Sequence, residues 1–117
     1  MAIGLTMSGD VQGKRVSGLG DAKLGTVKEL SVDLATGAIA FVLVEGQNLL
    51  RSSGKFHPVP WAAVRYDNVA DTFRVDLAKD EFKDSPSYDR EQLTTISIGW
   101  DVQATRFFSG QRSGTQT

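Results

Sequence analysis

A chain of 117 residues with 40% hydrophobic content fits one domain, and burying roughly two thirds of its unfolded surface gives a core without metal or disulfide staples. It has no cysteine and one histidine, His57, which excludes disulfides, thiolate chemistry, Cys-based metal sites and multi-histidine sites. The formal net charge is -1 with both signs interspersed; no cationic stripe exists to neutralise phosphates, so no nucleic-acid partner is expected.

Residues 1–10 are expected to be a flexible leader. They lack the basic start and apolar run of a signal peptide, and no stretch is long enough to insert into a membrane, so a cytoplasmic protein is expected. Val11–Val16 is predicted as the first strand, closed by Ser17-Gly18-Leu19-Gly20-Asp21, whose glycines permit turns. In the next strand, Leu24–Leu34, the second half alternates, with Leu30, Val32 and Leu34 on one face and Glu29, Ser31 and Asp33 on the other. Val27 is out of step with that parity, which predicts a bulge or bend near Lys28.

Asp33-Leu34-Ala35-Thr36-Gly37 is a turn. The Asp33 carboxylate can accept from loop N–H groups, and Gly37 suits the left-handed position. The following strand, Ala38–Val44, is apolar on both faces. Ile39, Phe41 and Leu43 are expected to fill the core, leaving Ala40, Val42 and Val44 to be covered by a helix, the C-terminal segment or another subunit. Gln47–Gly54 is a polar loop interrupted by Leu49-Leu50.

Lys55–Trp61 is extended, and Pro58 and Pro60 place it at an edge or irregular position because they lack N–H donors. Ala62–Tyr66 and Thr72–Leu77 form a hairpin, with Phe73, Val75 and Leu77 facing one way. Lys79–Asp84 is a single helical turn. At Tyr88–Leu93 a short helix starts, with Asp89 as N-cap, Gln92 as its reciprocal partner, and Tyr88 and Leu93 as staple. Trp100–Phe108 is rich in aromatics, and Ser109–Thr117 is expected to be a disordered polar tail.

The order Leu24-Gly25-Thr26-Val27, Val32–Gly37, an apolar strand, Val59-Pro60-Trp61, Val75-Asp76-Leu77 and Ser85–Asp89 resembles the PRC-barrel family from about Gly13 to Asp89. The resemblance implies a mostly-β fold, a small and strongly bent antiparallel barrel of about six strands. Relatives include the cytoplasmic domain of the photosynthetic reaction-centre H protein and the C-terminal domain of a ribosome-maturation factor. The family is similar in fold rather than in activity, and it is not defined by catalytic residues. The resulting division is a leader (1–10), a barrel (11–89), a C-terminal extension (90–108) that packs on the barrel or a partner, and a tail (109–117).

No catalytic, cofactor or metal site is expected. His57 beside Ser52, Ser53, Asp67 and Asp71 lacks a nucleophile elbow and is taken as a hydrogen-bonded strand histidine. Asp76, Asp80, Glu81 and Asp84 straddle a strand end and a helix start, so they form a solvated face rather than a calcium loop. Asp33, Gly37, Pro60 and Trp61 are assigned structural roles, with Trp61 closing one end of the barrel. The candidate interaction surface comprises Leu49, Leu50, Ala40, Val42, Val44, Trp100, Phe107 and Phe108, because surplus apolar side chains are covered either within the chain or in a homodimer. The functional expectation is a non-enzymatic, self-associating adaptor that docks on an unknown protein partner. The alternatives are a small-ligand-binding or sensory barrel, and a ribosome- or RNA-associated assembly factor.

Overall fold

The computed structural model describes residues 5–47, 52–95 and 99–116. Strands β1 (Arg15–Ser17), β2 (Lys23–Val32), β3 (Ile39–Gln47), β4 (Ser52–Pro60), β5 (Val64–Asp67) and β6 (Thr72–Val75) form one sheet. Its order is β4-β3-β2-β1-β6-β5. Helices α1 (Ser8–Val11), α2 (Lys79–Lys83), α3 (Arg90–Leu93) and α4 (Trp100–Gln116) surround it. Among the described residues no helix is long and apolar enough to cross a membrane.

The sheet bends into a half-barrel. Val16, Val27, Val44, Val59 and Val75, from five different strands, meet in a single buried cluster that Val64 of β5 also touches, as only a curled sheet allows. The mostly-β, six-stranded architecture therefore stands, with one refinement to its pairing. β1 runs parallel to β6 through Val16–Phe73 and Ser17–Arg74, while the other neighbouring pairs are antiparallel. A parallel pair requires a long crossover, and here the whole β2–β5 stretch supplies it.

The β2–β3 hairpin is the spine of the sheet. Its turn forms as expected: Asp33 Oδ1 accepts from the Ala35 N–H at 2.9 Å, the Asp33 carbonyl accepts from the Gly37 N–H at 2.7 Å, and Gly37 has φ +79. The bulge at Lys28 is also present, since the register steps from Val27–Val44 to Glu29–Leu43. The tip departs from expectation. Residues 32–38 are all exposed, so only Leu30 of the alternating set reaches the core, while Val32 is 49% and Leu34 94% accessible. The alternation is real, but the hairpin projects beyond the elements that would cover it.

The two faces of β3 are reversed relative to expectation. Val42 and Val44 point into the barrel and are 1% and 0% exposed, together with Val27 and Val59. Phe41 and Leu43 instead face outward into a second cluster with Phe56, Ala104, Leu93 and Trp100. A period of two separates two faces without saying which is inside when both are apolar. Ala40 sits where β3 advances two residues against one of β2, and it packs with the outer cluster. The compact, β-branched valines line the concave side, and the bulkier Phe41 and Leu43 lie beneath a helix.

β4 is an edge strand, as its prolines require. The Phe56 N–H donates away from β3 to the Tyr88 carbonyl at 2.8 Å, and the Tyr88 N–H returns a bond at 3.0 Å. Two and four residues on, Pro58 and Pro60 occupy the positions whose N–H groups would point the same way. They thereby remove two donors that would lack partners.

At the N-terminal end the predicted strand shortens. Val11 belongs to the helical turn α1 and is buried at 6%, and the strand begins at Arg15, just after Gly13 and Lys14 have bonded to the Val27 backbone. A chain turn intervenes at Gly13, φ +90. The β5–β6 hairpin matches its prediction, with Phe73, Val75 and Leu77 all buried. Asp67 shapes its loop by accepting from the Val69 and Ala70 N–H groups, and Arg74 bridges Asp67 and Asp21.

Two glycines separate steric from conformational need. A Cβ at Gly25 would lie 2.1 Å from the Glu45 carbonyl oxygen, whereas at Gly37 nothing lies within 4 Å. Gly25→Ala is expected to cost about 3 kcal/mol through overpacking, and Gly37→Ala about 1 kcal/mol through its positive φ alone. Urea denaturation of the two variants checks the order; equal costs would contradict it.

Candidate interaction surface

The segment from Trp100 onward is a single helix, α4, extending to Gln116. The helix assignment thus runs on into the stretch expected to be a disordered tail, Ser109–Thr117, of which Thr117 lies outside the described residues. A signal for the helix is present in the sequence. Trp100, Ala104, Phe107 and Phe108 fall at i, i+4, i+7 and i+8, which is one helical stripe. That stripe is the inward face: Ala104 is 0% and Phe108 4% exposed, with Trp100 and Phe107 partly buried.

α4 covers the outer face of β3 within the same chain. The Trp100 ring meets Phe41 edge-on at 5.2 Å between centroids, and the Trp100 indole N–H donates to the Leu93 carbonyl at 2.9 Å. The Tyr88 hydroxyl is hydrogen-bonded to Gln103 Oε1, tying α4 to the partner of the β4 edge. Phe107 and Phe108 pack edge-to-face at 5.2 Å, with Phe108 joining the inner cluster.

α3 connects sheet and helix. Its predicted cap is present: the Gln92 N–H donates to Asp89 Oδ1 at 2.8 Å, and the Asp89 N–H to Gln92 Oε1 at 2.9 Å. Arg90 pairs with Glu29 of β2 at 2.6 Å. Between these elements lies a cleft of about 160 Å³ whose lining includes Lys28, Leu43, Phe56, Arg90, Leu93 and Trp100. Its floor is apolar, and Lys28 is the bulge residue at its rim.

Of the remaining candidates, Val42 and Val44 are interior and unavailable to a partner. Leu49 and Leu50 lie outside the described residues. Trp61 rests on Phe73 at 6.4 Å but keeps 42% of its surface in solvent, so it closes the barrel only in part. Val102 is not among the residues expected at the surface patch, yet it is 54% exposed on α4. It borders a shallow depression with Phe41, Asp101, Thr105 and Arg106.

His57 is buried on the inner side of β4. Its ring lies 4.4 Å from that of Phe82, and Nδ1 is 2.8 Å from the Ser85 hydroxyl. That hydroxyl donates to the Phe82 carbonyl at 2.6 Å, so its oxygen accepts from Nδ1–H and fixes the neutral tautomer. Burial lowers the imidazole pKa below 6.5, with a hydrogen bond to the Ser85 backbone opposing. Among the described residues, no group of three His, Cys, Asp or Glu could hold a metal ion.

A half-barrel built on a bulged hairpin, with a proline-rich edge strand and a short β-hairpin, defines a class of small bent β-domains. The family model for the PRC-barrel domain matches residues 8–82, and the chain belongs to this family. The match ends before α3 and α4, so the helical cover lies outside it. Among curated proteins no match is found.

Trp100→Ala is expected to destabilise the fold by about 2 kcal/mol and to expose Phe41 and Leu43, read as increased binding of a hydrophobic dye. Because His57 has a lowered folded-state pKa, the unfolded chain takes up the proton first as pH falls. Stability should therefore decline below pH 6.5 until the folded pKa is reached. His57→Gln should flatten that slope in pH-dependent urea titrations, and an unchanged slope would count against it.

Proposed function

We propose that this PRC-barrel is a non-enzymatic interaction module that self-associates and docks on a larger protein partner. The observation that supports it most is the division of labour on α4. Its inward stripe covers the surplus apolar face of β3, while Val102 on the outward side stays 54% exposed beside the rim at Phe41. The exposed hairpin tip, with Val32 and Leu34, adds apolar surface at the same end of β3. Apolar side chains held on rigid elements and left in solvent are the usual raw material of a protein interface.

A second reading is supported by the cleft between barrel and helix. About 160 Å³ accommodates a ligand the size of a single aromatic ring, with Lys28 at the rim favouring an anionic substituent. NMR titration with small aromatic carboxylates would shift the Trp100 indole and Leu43 methyl signals if this reading holds.

For the leading reading, sedimentation velocity over a hundredfold concentration range should show a reversible monomer–dimer equilibrium. A protein that stays strictly monomeric at high concentration would rule out self-association.

A further inference from the structure

We propose that the cleft between barrel and helix binds a small aromatic carboxylate, with Arg90 exchanging Glu29 for the ligand and Lys28 holding the same group from the barrel side. This rests on the second reading above and assigns the groups that select and hold the ligand.

The bulge of β2 builds the polar rim. In a regular strand consecutive side chains take opposite faces, whereas the inserted residue of a bulge re-aims a neighbour. Here the register steps from Val27–Val44 to Glu29–Leu43, and Lys28 and Glu29 both line the cleft, as does Leu43. Arg90 comes from the other side, on α3, and its Nη1 lies 2.6 Å from Glu29 Oε2. The rim therefore carries two cations and one carboxylate, which is seated on one of them. That pair is a surface one, with 68% of the Arg90 side chain and 37% of the Glu29 side chain in solvent. Such a pair contributes little net stability, so an incoming carboxylate can take its place. The guanidinium fork donates to a carboxylate through two parallel N–H groups, and the Lys28 ammonium adds a second charge of the same sign.

The floor and wall select an aromatic body. Leu43 and Phe56 are buried, and Leu93 and Trp100 are partly so. The Trp100 indole is fixed by its bond to the Leu93 carbonyl and its edge-on contact with Phe41. This wall is preformed, so little is lost in ordering it when a ligand arrives. The volume of about 160 Å³ is close to that of an enclosed apolar cavity of about 150 Å³ that takes benzene.

The lining also spans two parts of the chain. Lys28, Leu43 and Phe56 belong to the barrel, while Arg90, Leu93 and Trp100 belong to the helical cover. A ligand that touches both binds only while the cover is seated, and by linkage it holds the cover in place.

The test is NMR titration of the full chain with benzoate and with benzamide, its neutral isostere, read at the Trp100 indole and Leu43 methyl signals. Benzoate is expected to bind with a Kd on the order of millimolar, and benzamide about tenfold more weakly. Arg90→Gln should weaken benzoate about tenfold and leave benzamide unchanged. Glu29→Gln, which removes the competing carboxylate, should tighten benzoate about threefold. With benzoate at about ten times its Kd, hydrogen exchange of the Ala104 and Phe108 amides should slow about tenfold. If benzoate and benzamide bind alike and Arg90→Gln changes neither, the anchor is wrong while the cleft reading stands. Weaker benzoate binding by Glu29→Gln overturns the exchange, because Glu29 then positions Arg90 for the ligand. Unchanged α4 exchange at saturating benzoate overturns the hold on the cover. If neither compound shifts either signal, the cleft reading and this inference fall together.

Discussion

Strand β3 carries Phe41, Val42, Leu43 and Val44 in succession, so it must be covered on both sides at once. An uncovered face would leave two large apolar side chains in water, at a cost of about 1.5–3 kcal/mol each. The bent sheet solves one side by curling Val16, Val27, Val59 and Val75 around Val42 and Val44. The other side is solved outside the barrel, where α3 and α4 bring Leu93, Trp100 and Ala104 onto Phe41 and Leu43. The remaining architecture follows from this double requirement. The Lys28 bulge lets β2 follow the curl, while Tyr88 and the prolines close the β4 edge without a seventh strand.

The family match and the helical cover occupy different parts of the chain. Residues 8–82 account for the barrel, whereas Trp100–Gln116 supplies the cover. The contact between α4 and β3 therefore joins the matched stretch to residues beyond it. The interior of the barrel is filled by Val16, Val27, Val42, Val44, Val59 and Val75 together with Leu24, Phe73, Phe82 and Phe108.

Much of this is legible in sequence because it is governed by local chemistry. The Asp33–Gly37 turn, the parity break at Lys28, the Asp89–Gln92 capping box and the edge position of the prolines each depend on a few adjacent residues, and each is present. What escapes sequence reasoning depends on global context. Periodicity divides β3 into two apolar faces but cannot choose the inner one, so it leaves Val42 and Val44 outside although they are the most buried side chains of that strand. The alternation of Leu30, Val32 and Leu34 has the pattern of a core face, yet the hairpin outruns its cover after Leu30. Helix α4 is hidden for a different reason: its polar residues and glycines mask the Trp100–Ala104–Phe107–Phe108 stripe, which four-residue spacing reveals. Val102 is hidden with it, since its exposure has meaning only once the helix is drawn.

The outer face of β3 is covered by α4 of its own chain, and Val102 on the far side of that helix is exposed. Isotope-filtered NMR on the Phe41–Trp100 ring contact, whose centroids lie 5.2 Å apart, tests this most directly. A strong cross-peak is expected in a uniformly labelled sample dilute enough to be monomeric, and none between labelled and unlabelled chains in a mixed sample. A cross-peak that appears only between chains would contradict it, because β3 would then be covered by a neighbour's helix.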